Sequence, residues 1–326
     1  MNHMFEALKQ KPRTVILDTD IGPDCDDVGA LVCLIDYAKT YGFPIAGICN
    51  CTSNKAGTGT IDAVCRWCGI ETPLLGQWSK PGFMDQPEYR KYNDTVAETF
   101  SEAYRANTLK TLDEVTFYRT LLAAAEDDSV MVITIGMFNN IAALLRSEAD
   151  DISPLSGIEL VKAKVHCLVS MAAILPQGRE CNVICDYKAA ELVFNEWPTP
   201  VFLSDFHIGW QIFTGYEHIQ DPAAIAASPL SMAYHLYTKD WTHLPLKGMN
   251  SSYDLTAIQF AAEGEGDVYA LGEPGRLEFY AEIPDRPDLP DATRFIPDEN
   301  GKFRFMTKVA TDEQIRDLLN GMLRKY

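Results

Sequence analysis

The chain has 326 residues, with 28 Lys and Arg against 46 Asp and Glu and a formal net charge of −18. That balance excludes a protein that works by neutralising phosphate backbones or anionic lipid, because its mean field repels both, so neither nucleic acid nor a membrane surface is an expected partner. Apolar residues make up 47% and charged residues 23%, the balance of an ordinary globular protein and not of a disordered or fibrous one.

Met1 to Arg13 carries charges and no apolar segment of the kind a secretory signal needs, and no stretch approaches ~18 uninterrupted apolar residues. The expectation is a soluble, cytoplasmic protein. Val15 to Leu17 reads as a strand, followed by a turn-rich acidic loop and by apolar residues at helical spacing, Ala30, Leu31, Leu34, Ile35 and Ala38. Ile45 to Cys49, Val130 to Ile135, Val165 to Ser170 and Val201 to Leu203 are further predicted strands. Ile61 to Cys68, Ile141 to Arg146 and Tyr187 to Phe194 are predicted helices. Phe83 to Leu112 breaks the rhythm as helical cover or an insertion, and so does Ser228 to Ser252, rich in aromatics. The tail alternates at Leu277, Phe279, Phe303 and Phe305 as a hairpin would, with Gly301 in the turn, and ends in a helix capped by Thr311 and Gln314.

Strands alternating with helices predict an α/β fold, a mostly parallel open sheet with helices on both faces, plus a C-terminal hairpin and helix. With no internal repeat, low-complexity tract or linker, the chain reads as one domain over 1–326. Nine Cys, an odd number scattered through apolar runs, predict reduced, buried thiols. The single C-x-x-C of Cys65 and Cys68 reads as two Cys on adjacent helical turns of a core face.

In open α/β sheets ligands sit at the carboxyl ends of the strands. There, Asp18-Thr-Asp20-Ile-Gly22-Pro-Asp24-Cys-Asp26-Asp27 places five carboxylates in ten residues. Such mutual repulsion points to a bound cation, and oxygen-only ligands point to Ca²⁺ or Mg²⁺. Asp26 and Asp27 also start a helix, where capping fits those two but not Asp18 and Asp20, which directly follow a strand that reads as buried. An EF-hand loop fails on Gly22 at position five and Gly29 at position twelve. A haloacid-dehalogenase-type D-x-D motif, with Asp18 as nucleophile and Mg²⁺ as cofactor, is an alternative that has Gly22 in its Thr/Val position.

The strand and the D-T-D-I-G-x-D-x-D-D loop resemble the inosine-uridine-preferring nucleoside hydrolase family, in a longer form found in bacterial members. Three later segments resemble the family's motifs in order. Ile133 to Ala142 resembles the strand-turn-helix segment ending T-N-I-A, Glu180-Cys-Asn182-Val-Ile-Cys-Asp186 resembles E-F-N-x-x-x-D, and Tyr253-Asp254-Leu-Thr-Ala257 resembles H-D-P-x-A. The resemblance implies Ca²⁺-dependent hydrolysis of the N-glycosidic bond of nucleosides to ribose and free base, a role in nucleoside salvage, and a homodimer or homotetramer. It implies a metal site of Asp20, Asp27, the Ile135 carbonyl and Asp254, with Asp20 also the general base that activates the metal's water. It places Asp26, Asn182 and Glu180 on the ribose hydroxyls, with Asn50 beside them.

Two departures concern the leaving group. Tyr253 stands where the family has a His that helps protonate the base, and Gln77 to Pro87 lacks a His-Gly motif. Tyr253 donates a proton only if its pKa is strongly lowered from ~10. Tyr234, Tyr237, Trp241, Trp210 and His243 could stack on a purine, Trp241 foremost, or could equally be core or an oligomer contact. A Ca²⁺-dependent nucleoside- or ribose-binding protein with little turnover is a further alternative, because Asp20 serves both readings.

Overall fold

The computed structural model describes residues 14–239, 248–280 and 292–326. Its central strand, β1 (Thr14–Thr19), is buried on both sides: Val15 and Leu17 enter one core cluster and Ile16 the other. Around it are β2 (Ile45–Asn50), β3 (Leu74–Gln77), β4 (Leu112–Asp113), β5 (Val130–Thr134), β6 (Val165–Met171), β7 (Gln177–Gly178) and β8 (Val201–Ser204). A separate pair is made by β9 (Phe213–Thr214) and β10 (Asn250–Ser251). The series ends with β11 (Tyr269–Tyr280), β12 (Ala292–Pro297) and β13 (Phe303–Lys308).

Eleven of these strands form one sheet in the order β4-β3-β2-β1-β5-β6-β8-β13-β11-β12-β7. From β4 to β13 neighbours are parallel, and β11, β12 and β7 close one edge antiparallel. Parallel pairs need crossovers, and the crossovers put helices on both faces. The main ones are α1 (Asp26–Tyr41), α2 (Lys55–Trp67), α3 (Glu114–Ala124), α4 (Asn139–Leu145), α5 (Cys181–Ile184), α6 (Tyr187–Glu196), α7 (Tyr253–Glu263) and α8 (Asp312–Leu323). One face of the sheet is covered by α1, α2, α7 and α8, the other by α3, α4 and α6. The predicted mostly parallel sheet with helices on both faces is therefore what the chain forms.

The tail differs in its partners. Leu277 of β11 pairs with Phe295 of β12, so β11 and β12 are the hairpin. β13 lies on the other side of β11, where Phe303 pairs with Gly275, and runs parallel to β8. Alternation with period two marks which face of a strand is buried and carries no information on which strand lies beside it. The final helix has the predicted capping box, with Thr311 Oγ1 accepting from the Gln314 N–H and Gln314 Oε1 from the Thr311 N–H. Phe83 to Leu112 folds as short helices at Pro87–Arg90, Asn93–Phe100 and Glu102–Arg105.

All nine Cys are free, and Cys65 and Cys68 are buried in one core cluster. Cys181 and Cys185 are exposed, which corrects the expectation of uniformly buried thiols. Cys181 opens a four-residue helix and Cys185 is its C-cap. Among the described residues no helix is long and apolar enough to cross a membrane.

Candidate active site

The acidic loop leaves β1 at the carboxyl edge of the sheet, where β5 and β6 also end. Two glycines shape it. Gly22 has φ 144°, and a Cβ there would stand 2.7 Å from the Tyr89 carbonyl, so both conformation and space call for glycine. A Cβ on Gly136 would stand 2.6 Å from the Asp20 nitrogen, so the turn after β5 closes on the loop only without a side chain. The Ile135 N–H donates to the Asp18 carbonyl at 2.8 Å. Asp24 accepts from the N–H groups of Cys25 at 2.6 Å and Asp26 at 3.3 Å, an Asx turn that leads the chain into α1.

A cavity of about 420 Å³ opens at this edge. Asp20 and Asp24 of the loop, Asp26 and Asp27 of α1, and Tyr253 and Asp254 of α7 form one wall. Ile135, Met171, Arg179, Glu180, Cys181, Asn182 and Phe206 contribute to the rest. Carboxylate oxygens of Asp26, Asp27 and Asp254 lie within 4.8 Å of one another. All three stand in the first turn of a helix, where unpaired N–H groups and the dipole favour negative charge. Asp26 Oδ2 accepts the Asp254 N–H at 3.0 Å, Thr19 donates to Asp27, and Asn250 donates to Asp24 and, at 3.3 Å, to Asp26.

Burial raises the pKa of each of these acids, and their mutual repulsion adds to it. Asp27 is pushed up to about 8, and Asp20, Asp26 and Asp254 are raised well above the usual carboxylate range. The only cationic side chain lining the cavity among the described residues is Arg179. Desolvated carboxylates gathered this closely, with oxygen as the sole donor type, fit a hard divalent cation.

Of the residues singled out from sequence, Asp20, Asp26, Asp27, Ile135, Glu180, Asn182, Tyr253 and Asp254 line this one cavity. Within it, among the described residues, Asp26, Asp27 and Asp254 form a group of acids close enough to share a cation, and Asp20 lines the same cavity. Asn50 is not among the lining residues. It is fully buried, its amide donating to the Asn54 carbonyl and its Oδ1 accepting from Thr52 N–H and Oγ1, so the turn after β2 uses it. Trp241 and His243 lie outside the described residues.

Asp18 is fully buried beneath the loop, where Tyr118 at 2.6 Å and Asn140 at 3.0 Å donate to its Oδ2, and burial raises its pKa to about 7. It does not line the cavity, which overturns the alternative that makes it a phosphoryl nucleophile. Glu180 caps α5: its carboxylate accepts from Asn182 at 2.8 Å and from Ala173 and Val183, both at 3.2 Å. Asn182 donates to the Met171 carbonyl at 3.1 Å.

Tyr253 is pushed up to about 12, first by burial and then by the charges of Asp26, Asp24 and Asp254. The lowered pKa that a proton donor requires is absent. Its ring instead lies beside Phe206, with centroids 5.2 Å apart, and Phe206 lies 5.7 Å from Trp210. Tyr234 is fully buried, so that residue of the expected aromatic wall is core. Phe206, Arg179 and Asn250 had no signal in the sequence beyond position: Phe206 follows the carboxyl end of β8, and Arg179 precedes Glu180.

A family model for the inosine-uridine preferring nucleoside hydrolases matches residues 15–279. A comparison with curated protein sequences gives no match. Among solved structures the chain is similar to a plant nucleoside hydrolase, at 15% identity over 96% of this chain and 99% of the other, TM-score 0.64. It is similar to an inosine-uridine preferring nucleoside hydrolase from Bacillus anthracis, at 12% identity over 96% and 100%, TM-score 0.65. It is also similar to the type III effector protein XopQ complexed with adenosine diphosphate ribose, at 14% identity over 98% and 97%, TM-score 0.69. At such identities these likenesses carry the fold alone.

Proposed function

The chain belongs to the inosine-uridine preferring nucleoside hydrolase family, and from that premise we propose that it hydrolyses the N-glycosidic bond of nucleosides, giving ribose and free base. The observation that carries the reading is the convergence of Asp20, Asp26, Asp27, Asp254, Glu180 and Asn182 on one cavity at the carboxyl edge of the sheet. Breaking the bond leaves an oxocarbenium-like sugar, whose positive charge a wall of carboxylates stabilises. Asp20 takes the proton of the attacking water. Asp26 and Asn182 hold the ribose 2′- and 3′-hydroxyls and Glu180 the 5′-hydroxyl. Phe206 and Tyr253 offer ring faces to the departing base.

Asp27 and Asp254, common to the resemblance and to the carboxylate cluster, would hold a divalent cation, which we take to be Ca²⁺, with Asp20 and the Ile135 carbonyl completing the set. Such a cation lowers the pKa of water and offsets the clustered charge. The continuous eleven-stranded sheet supports one domain over 1–326. We also propose a cytoplasmic homodimer or homotetramer acting in nucleoside salvage.

The test incubates purified protein with a panel of purine and pyrimidine nucleosides, with and without chelator. Ribose release abolished by chelation and restored by Ca²⁺ is the expected result, and no ribose release from any nucleoside overturns the reading.

One observation favours a second reading, a nucleoside- or ribose-binding protein with little turnover. Among the described residues, Arg179 is the one cationic side chain lining a cavity that also holds six acids, and its buried Nε has no partner. A cation there suits an anionic extension of the sugar, such as the phosphates of the adenosine diphosphate ribose held by XopQ. Under this reading adenosine diphosphate ribose raises the melting temperature, Arg179→Ala removes the rise, and no base is released.

A further inference from the structure

Seven of the nine thiols are sealed in the cores, whereas Cys181 and Cys185 are exposed. They are also neighbours: one helical turn, closed by the Cys185 N–H donating to the Cys181 carbonyl at 3.0 Å, sets their sulfurs 3.4 Å apart. We propose that Cys181 and Cys185 form a dithiol modification site that a peroxide oxidises to a disulfide and a dithiol reductant restores. Nothing in the hydrolysis scheme uses either thiol.

The chemistry follows from the pairing. A thiol that donates its S–H to a second sulfur favours the thiolate there, and this contact from Cys181 holds Cys185 down at about 7. The Cys185 thiolate attacks one peroxide oxygen, an S–O bond forms as the O–O bond breaks, and hydroxide leaves; the sulfur is oxidised by two electrons and the peroxide reduced. Cys181 then attacks the Cys185 sulfenic acid, the S–S bond replaces the S–O bond, and the Cys181 proton leaves with the hydroxyl as water. With the partner thiol already in contact, this second step outpaces further oxidation to the sulfinic acid.

Closing the bond shortens the sulfur separation from 3.4 Å to ~2.05 Å. The contraction falls on α5, and Cys181 stands between Glu180, which caps that helix, and Asn182, both lining the cavity. The cross-link therefore shifts the segment that borders the sugar pocket. A loss of nucleoside hydrolysis on the order of tenfold is expected, within the ~10²-fold that a 1 Å misplacement can cost; this consequence alone rests on the hydrolase reading.

The experiment treats the full chain with stoichiometric hydrogen peroxide, blocks remaining thiols, and reads the peptide spanning Cys181 and Cys185 by mass spectrometry. The expected product is that peptide lighter by two hydrogens and restored by dithiothreitol. Unchanged thiols, a sulfinic acid at either position or a bond between chains overturns the modification site, whatever the protein hydrolyses. In parallel, Cys185→Ser is expected to keep basal nucleoside hydrolysis and to resist peroxide. Equal inhibition of this variant and the wild type, or a disulfide with no change in turnover, overturns the link to the sugar pocket.

Discussion

Asp26 Oδ2 accepts the backbone N–H of Asp254 at 3.0 Å, so the first turn of α1 and the first turn of α7 are joined at the point where three carboxylates crowd together. The bond fixes the geometry of the cluster, and the repulsion it must hold works against the fold. Asp26→Asn separates the two effects, because its amide oxygen can still accept from Asp254 while its NH₂ can face Asp24. Without divalent cation the variant is expected to be more stable by about 1 kcal/mol, a rise of a few degrees in Tm. The stabilisation that Ca²⁺ confers on the wild type should persist in the variant, because the proposed ligands Asp20, Asp27, Asp254 and the Ile135 carbonyl all remain. Thermal unfolding in chelator and in Ca²⁺ checks both, and a Ca²⁺ shift lost in the variant would make Asp26 a cation ligand and overturn its place on the ribose.

Asp20 lines the cavity, and under the proposed assignment it both holds the cation and takes the proton of the attacking water. Asp20→Asn should lower kcat by about 10²-fold to 10⁴-fold, the range of a lost general base, while nucleoside-induced stabilisation remains measurable. Steady-state kinetics beside thermal shifts decide this, and a variant with wild-type kcat ends the assignment.

How much of this was legible depended on the kind of signal. Asp20, Asp26 and Asp27 stood out because five carboxylates in one loop after a buried strand have no cheap structural explanation, and the loop does lie at the sheet edge. Glu180, Asn182 and Asp254 were found only through motif order, since an isolated acid or amide looks the same in a helix cap; Glu180 is in fact a cap as well. Asn50 shows the converse, a residue at the right strand end whose hydrogen bonds go to its own turn and to Gln77 at the end of β3. Phe206 and Arg179 reach the cavity through chain path, which no spacing encodes. The β11 partners escaped for a similar reason, because alternation specifies a face and not a neighbour.

Tyr253 tests how the base leaves. Its hydroxyl is pushed up to about 12, which disfavours proton transfer from the phenol, and its ring lies beside Phe206, so the role proposed for the residue is stacking. Tyr253→Phe keeps the ring and should therefore lower kcat far less than the ~10²-fold minimum typical of a lost general acid. Tyr253→Ala removes the stacking surface and should raise KM. The reverse order, with the Phe variant losing ~10²-fold in kcat, would restore the tyrosine as proton donor.

Glu180 carries a pH signature that can be read without any turnover. Burial is the largest cause that raises its carboxyl from 4.5 to about 7, against the lowering effect of the N–H groups of Asn182, Ala173 and Val183. A carboxyl raised in the folded state binds its proton more tightly there than in the unfolded chain. Its stabilising contribution is thus complete below about pH 4.5 and is lost as the pH rises to about 7. The shift corresponds to on the order of 3 kcal/mol. Glu180→Gln has no such proton to lose, although it gives up one acceptor for the α5 N–H groups. Urea unfolding in chelator at about pH 5 and about pH 8 should therefore find the stability advantage of the wild type over the variant smaller at the higher pH. A difference that does not change with pH would show that the carboxyl titrates alike in both states and that burial does not raise it.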